Sequence, residues 1–138
     1  MLFRSVGTRG ETQAYFEQGL SFIKALDISQ LHVFSYSERA NTQALKIDHV
    51  VKPNEKKERS KQLLDLSEQK RIQFYTSQLG TSRKVIFEQP KSGEKMHGFT
   101  ENYIQVEHTY NHALINQVST VFLEKFNEEK DALICIQS

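Results

Sequence analysis

Across residues 12–26 the apolar side chains Phe16, Leu20 and Ile23 recur at i, i+4 and i+7, with Tyr15, Phe22 and Leu26 widening the stripe. That pattern predicts a half-buried helix, with Thr12 placed to cap its start. Leu31-His32-Val33-Phe34-Ser35-Tyr36 follows, short, β-branched and aromatic, and reads as a buried strand. A helix and a closely following buried strand make one αβ step of a parallel α/β sheet, and such a step leaves its ladder unpaired unless something else completes it. Residues 37–52 carry few apolar anchors, mainly Leu45, Ile47 and Val50, and read as a surface crossing. Pro53-Asn54 then starts a long, one-sided helix with Asn54 as the expected N-cap, apolar at Leu63, Leu66, Ile72, Tyr75 and Leu79 and stopped by Gly80. Beyond Gly80 the period becomes two. Residues 84–88, 96–100, 103–107, 117–126 and 132–137 read as five short strands, which suggests a small antiparallel barrel because closure removes edges.

The expected fold class is therefore α+β. Residues 1–5 fit nothing that follows and read as a non-native lead; 6–53 form the αβ step, 54–80 the linking helix and 81–138 the barrel. No apolar run approaches the roughly 18 residues that argue for a membrane span, and no targeting segment is visible, so the default compartment is cytoplasmic.

With 18 basic against 17 acidic residues there is no bulk charge to attract nucleic acid, so such binding needs a local patch. The single cysteine, Cys135, rules out an internal disulfide, a cysteine zinc site and a cysteine-ligated iron-sulfur cluster built from this chain alone. Flanked by Ile134 and Ile136, it reads as a core residue. His108 and His112 have the i, i+4 spacing of a zinc pair but lack the adjacent glutamate and read as loop histidines. Phe34 through Ala44 delivers Tyr36, Ser37 and Arg39 at the end of a strand, where α/β folds place ligands, although Tyr36 and Arg39 packing across their own loop is the plainer account.

Several stretches resemble the radical-SAM methylthiotransferases. Val6-Gly7-Thr8-Arg9-Gly10-Glu11-Thr12 is similar to their Val-Gly-Phe-Pro-Gly-Glu-Thr turn, with Thr8-Arg9 in place of Phe-Pro. Leu31-His32-Val33-Phe34-Ser35-Tyr36-Ser37-Glu38-Arg39, followed by Thr42 and Ala44, is similar to a late barrel strand and loop of that family. Lys57-Glu58-Arg59 through Gly80 resembles the linker helix, and Gly98-Phe99-Thr100-Glu101-Asn102-Tyr103-Ile104 the start of the small RNA-binding TRAM barrel. The strand motif is closest to the branch that methylthiolates threonylcarbamoyladenosine at position 37 of tRNA.

The resemblance implies a C-terminal fragment of such an enzyme, partnered by tRNA at its anticodon stem-loop and by the missing N-terminal part of the parent, with no membrane partner. The parent family uses two 4Fe-4S clusters and S-adenosylmethionine; this chain, lacking the cysteine motifs, is expected to bind neither cluster and to be inactive alone. Glu11, Tyr36, Ser37 and Arg39 are expected near the S-adenosylmethionine and substrate pocket. On the barrel, Arg83, Lys84, Lys91, Lys95, His97, Phe99 and Tyr103 are expected to combine phosphate-neutralising charge with stacking surface. The opposing account is a solvated charged face, since Glu88, Glu94 and Glu101 interleave with those cations. A free-standing RNA-binding module and a protein-interaction module are the rival readings.

Overall fold

The computed structural model describes residues 2–138. In chain order it contains β1 (Leu2–Val6), α1 (Gln13–Ala25), β2 (Leu31–Ser35), a 3-10 turn (Gln43–Lys46), α2 (Pro53–Gln78), β3 (Ser82–Phe87), β4 (Lys95–Thr100), β5 (Gln105–Thr109), a second 3-10 turn (His112–Leu114), β6 (Val118–Phe126) and β7 (Leu133–Gln137). The chain divides into two compact units, one up to Gln73 and one from Phe74 onward, so α2 supplies residues to both.

In the first unit β1 and β2 pair in parallel, Leu2 opposite Leu31 through Val6 opposite Ser35. The expectation that the second strand has no paired neighbour is thereby corrected: residues 2–6 form its partner, all but Val6 of them within the stretch read as a non-native lead. Thr12 caps α1 as expected, its hydroxyl accepting the Tyr15 N–H at 3.2 Å. Phe16 and Ile23 of α1 pack with Val6, Leu31, Leu63 and Leu66.

Polar groups complete this small core. Arg59 Nη1 donates to the Glu11 carbonyl at 2.8 Å and to its carboxylate at 3.1 Å, with both side chains almost wholly buried. Ser67 Oγ donates to the Leu31 carbonyl at 2.7 Å, and Lys70 Nζ to the Leu26 carbonyl at 2.7 Å. Arg59 and Lys70 thus serve carbonyls in the turn before α1 and at its C-terminal end, and Ser67 serves the start of β2.

Helix α2 begins one residue earlier than predicted. Pro53 takes the first helical position, where a missing N–H costs nothing, and the Lys52 N–H donates to the Glu55 carboxylate at 3.3 Å; Asn54 lies inside the first turn rather than at the cap. Gly80, at φ +80°, ends the run in the left-handed region, as its position suggested.

The second unit is a closed barrel in the order β3-β4-β5-β7-β6. Four of its pairings are antiparallel and one, β5 with β7, is parallel. The predicted barrel is thus mixed rather than wholly antiparallel, and arithmetic requires it: strand directions cannot alternate around a ring with an odd number of members. Inward side chains Val85, Phe87, Met96, Val106, Val121, Leu123, Leu133 and Cys135 fill the interior together with Tyr75 from the end of α2. The Tyr75 hydroxyl accepts the Gln105 N–H at 3.0 Å. Strand β5 starts two residues later than predicted because Tyr103 sits at φ +65° in a turn braced by Thr100, whose hydroxyl accepts the Ile104 N–H.

Candidate nucleic-acid interface

Period-two alternation turns Lys84 and Ile86 of β3, and Lys95, His97 and Phe99 of β4, to the outside of the barrel. Register then decides which of them meet. Ile86 lies opposite Phe99 on one side and opposite Val118 on the other. All three are half-exposed or more, at 50%, 50% and 66%. With Lys84, Thr100 and Glu101 they line a groove of about 320 Å³. An exposed aromatic ring flanked by aliphatic side chains, with a lysine at its border, offers a stacking surface and a phosphate partner together.

Lys84 and Phe99 are therefore brought together. Ile86 and Val118 are members of the same surface that the sequence reading did not single out; apolar residues at the outward positions of β3 and β6 were the available signal. Tyr103 is well exposed in the β4–β5 turn, and Lys91 is exposed in the turn before β4.

The remaining cations are committed elsewhere. Arg83 Nη2 donates to the Gln78 side-chain carbonyl at 2.6 Å, and Nη1 lies 3.7 Å from the Glu101 carboxylate. At the far end of the β4 strip, Lys95 Nζ pairs with Glu107 Oε1 at 2.9 Å and His97 Nε2 meets Glu107 Oε2 at 3.2 Å. Burial pushes the Glu107 carboxyl upward, but hydrogen bonds from Lys95, Asn127 and His97 outweigh it and hold the group below its ordinary value. Among the described residues, Lys84 and Lys91 form no ion pair.

In the first unit, the carboxyl ends of β1 and β2 open into a cleft of about 440 Å³ lined by Ser5, Ser35, Tyr36, Ser37, Arg39 and Thr42, with Ala44. Three of the four residues expected near a small-molecule pocket thus share one cleft. Glu11 does not line it. Its carboxylate is consumed by the Gly7 N–H at 3.1 Å, by Arg59 at 3.1 Å and by Arg4 at 3.4 Å. Arg9, the substituted residue of the Gly7 turn, pairs with Glu38 at 2.6 Å, which raises the guanidinium and lowers the carboxyl.

The His108 ring packs 5.7 Å from that of Phe87, and His112 Nδ1 lies 3.4 Å from the Tyr110 hydroxyl. Among the described residues no three His, Cys, Asp or Glu side chains are grouped to hold a metal ion. Burial pushes the Cys135 thiol up to about 12, which suits the interior position read from its flanks. No helix of the described residues is long and apolar enough to cross a membrane.

No family model matches the chain. Individual relatives do. The chain is 33% identical over 105 residues to the threonylcarbamoyladenosine tRNA methylthiotransferase of Bacillus subtilis, which covers 73% of this chain and 23% of that enzyme. It is 38% identical over 85 residues to the ribosomal protein uS12 methylthiotransferase of Koribacter versatilis, covering 62% and 17%. With the tRNA-2-methylthio-N(6)-dimethylallyladenosine synthase of Actinobacillus pleuropneumoniae it shares 34% over 99 residues, covering 70% and 21%. The chain spans no more than about a quarter of the length of these relatives. It belongs to the methylthiotransferase family, of which it represents one segment.

Proposed function

We propose that this chain is the C-terminal part of a cytoplasmic tRNA-modifying methylthiotransferase and that its barrel holds the anticodon stem-loop of tRNA while the rest of the enzyme adds a 2-methylthio group to threonylcarbamoyladenosine 37. One observation carries the RNA-binding part: Phe99, Ile86 and Val118 form an exposed apolar groove beside Lys84, a cation with no ion pair among the described residues. A solvated charged face has no reason to expose such a row of apolar side chains. The names of two of the three relatives above specify tRNA nucleosides, and Leu31 through Arg39 resembles the strand motif of the threonylcarbamoyladenosine branch.

The family's clusters and S-adenosylmethionine supply the radical chemistry. This chain's own residues do not fit a cluster, since its one cysteine is buried and its thiol is pushed up to about 12. What they contribute is binding and orientation, through the barrel groove and through the cleft of Tyr36, Ser37 and Arg39.

The test is titration of a tRNA anticodon stem-loop with the 138-residue chain at several salt concentrations, beside Lys84→Glu combined with Phe99→Ala. Loss of salt-sensitive affinity in the double variant, with its melting temperature retained, is expected. Equal affinity in both proteins refutes the assignment of this face to RNA.

A further inference from the structure

Glu107 occupies an outward register position on β5, directly opposite His97 on β4, yet it is only 6% exposed. Lys95 and His97 cover it from β4, and Asn127, in the turn between β6 and β7, donates Nδ2 to the same carboxylate at 3.2 Å. Asn127 is itself fixed, its Oδ1 accepting the N–H groups of Asp131 and Ala132. Glu128 and Glu129 of that turn add their charge around Lys95. The Lys95 end of the β4 strip is therefore built around carboxylates, whereas the Phe99 end presents Lys84 beside an apolar groove whose one carboxylate, Glu101, pairs with Arg83 at 3.7 Å.

We infer that Glu107 is a specificity element of the barrel, withdrawing Lys95 from the cations that meet RNA, engaging the His97 ring beside it, and confining the RNA footprint to the groove formed by Lys84, Ile86, Phe99 and Val118. The inference rests on the reading of the barrel as an RNA-binding module and adds which cations do the binding. Its physical basis is an asymmetry. An exposed lysine without a partner gives a phosphate its whole charge, and the contact releases a counterion. A phosphate approaching Lys95 either shares the ammonium with a carboxylate 2.9 Å away, like charge against like, or draws it off and leaves a buried carboxylate short of a donor. Either route returns less than the same contact made to an uncommitted lysine.

The experiment measures affinity and salt dependence for a tRNA anticodon stem-loop with five proteins of 138 residues: wild type, Lys84→Gln, Lys95→Gln, Glu107→Gln and the Lys95→Gln/Glu107→Gln double variant, each checked by thermal melting. Lys84→Gln is expected to weaken binding about 5-fold and to flatten the salt slope by roughly one phosphate contact, about 0.7–0.9 in log–log units. Lys95→Gln is expected to change affinity by less than about 2-fold with the slope unaltered, because the charge it removes is already cancelled. Glu107→Gln is expected to tighten binding about 5-fold and to steepen the slope, a gain abolished by adding Lys95→Gln. Equal weakening by Lys84→Gln and Lys95→Gln overturns the inference while leaving the barrel an RNA binder, and this arm does not depend on how well Glu107→Gln folds. Absence of binding by the wild-type chain overturns the RNA reading itself, and the inference with it.

Discussion

The two units of this chain solve one problem in opposite ways. The barrel satisfies its strands by closing on itself and fills its interior with apolar side chains, from Val85 and Phe87 to Leu133 and Cys135. The first unit has a sheet of two strands and a smaller apolar cluster, and it buries Glu11, Arg59 and Lys70, which serve backbone groups of the turn between β1 and α1 and of the C-terminal end of α1. Phe3, Phe22 and Phe34 are each more than half exposed there. Where topology provides closure, stability follows from area removed from water; where it does not, individual side chains must hold the backbone, and each becomes a point of failure.

The sharpest way to break that contrast is Arg59→Ala. It takes the buried cation from the Glu11 carboxylate, itself at 6% exposure, leaving it the Gly7 N–H and the partly exposed Arg4, and it removes the donor to the Glu11 carbonyl. Deleting one member of a buried ion pair costs about 3–5 kcal/mol, against which so small a core has little in reserve. Hydrogen exchange resolved along the chain should show β1, α1 and β2 losing protection while β3 to β7 keep theirs. Loss of protection in the barrel to the same degree would mean that the two units do not differ as described.

Gly98→Ala is the corresponding blow to the barrel. A Cβ on Gly98 meets the Ile86 carbonyl oxygen of the adjacent strand, a backbone atom that cannot swing aside. Forcing β3 and β4 apart is expected to cost about 1–3 kcal/mol, read as a lower denaturant midpoint for the barrel amides alone. Gly80→Ala tests a milder version. The residue sits at φ +80° with open space around it, so only the left-handed backbone of an L-residue is penalised, at about 1–2 kcal/mol. A loss as large as that of Gly98→Ala would show that the helix stop, rather than strand spacing, limits the barrel.

The ease of reading these regions from sequence followed the same division. Alternation over 82–87 and 95–100 and the helical stripe over 13–25 are local patterns, and they placed β3, β4 and α1 to within two residues. The parallel β5–β7 pairing is a property of the ring and of no single segment, though counting five strands already requires it. Residues 1–5 read as a lead that fits nothing after them, because the partner that makes residues 2–6 a strand lies 29 positions away on β2.

The candidate sites divide likewise. Tyr36, Ser37 and Arg39 are neighbours in sequence and share a cleft. Lys95 and Lys84 look equivalent in the sequence, and only the partner that register brings beside each, Glu107 for one and none among the described residues for the other, separates them.

The finest test of the contrast is acid, acting on that same carboxylate. Glu107 titrates below its ordinary value because the donors Lys95, Asn127 and His97 outweigh the upward push of burial. A carboxyl whose folded pKa is depressed binds fewer protons folded than unfolded. Its contribution to stability is therefore whole above the unfolded value, about 4.3, and is lost as pH falls through the depressed one. Lys95, raised first by its hydrogen bond to Glu107, reports the same contact from the alkaline side: its share is whole below about 10.4 and fades as pH rises through the raised value. The barrel should thus melt lower at pH 3 than at pH 6, and Glu107→Gln should shrink that difference, by a smaller margin than the glycine variants produce because Lys95 is largely exposed to solvent. A difference between the two pH values as large in Glu107→Gln as in the wild type would place the barrel's acid sensitivity elsewhere and would strip this buried carboxylate of any part in holding β4, β5 and the β6–β7 turn together.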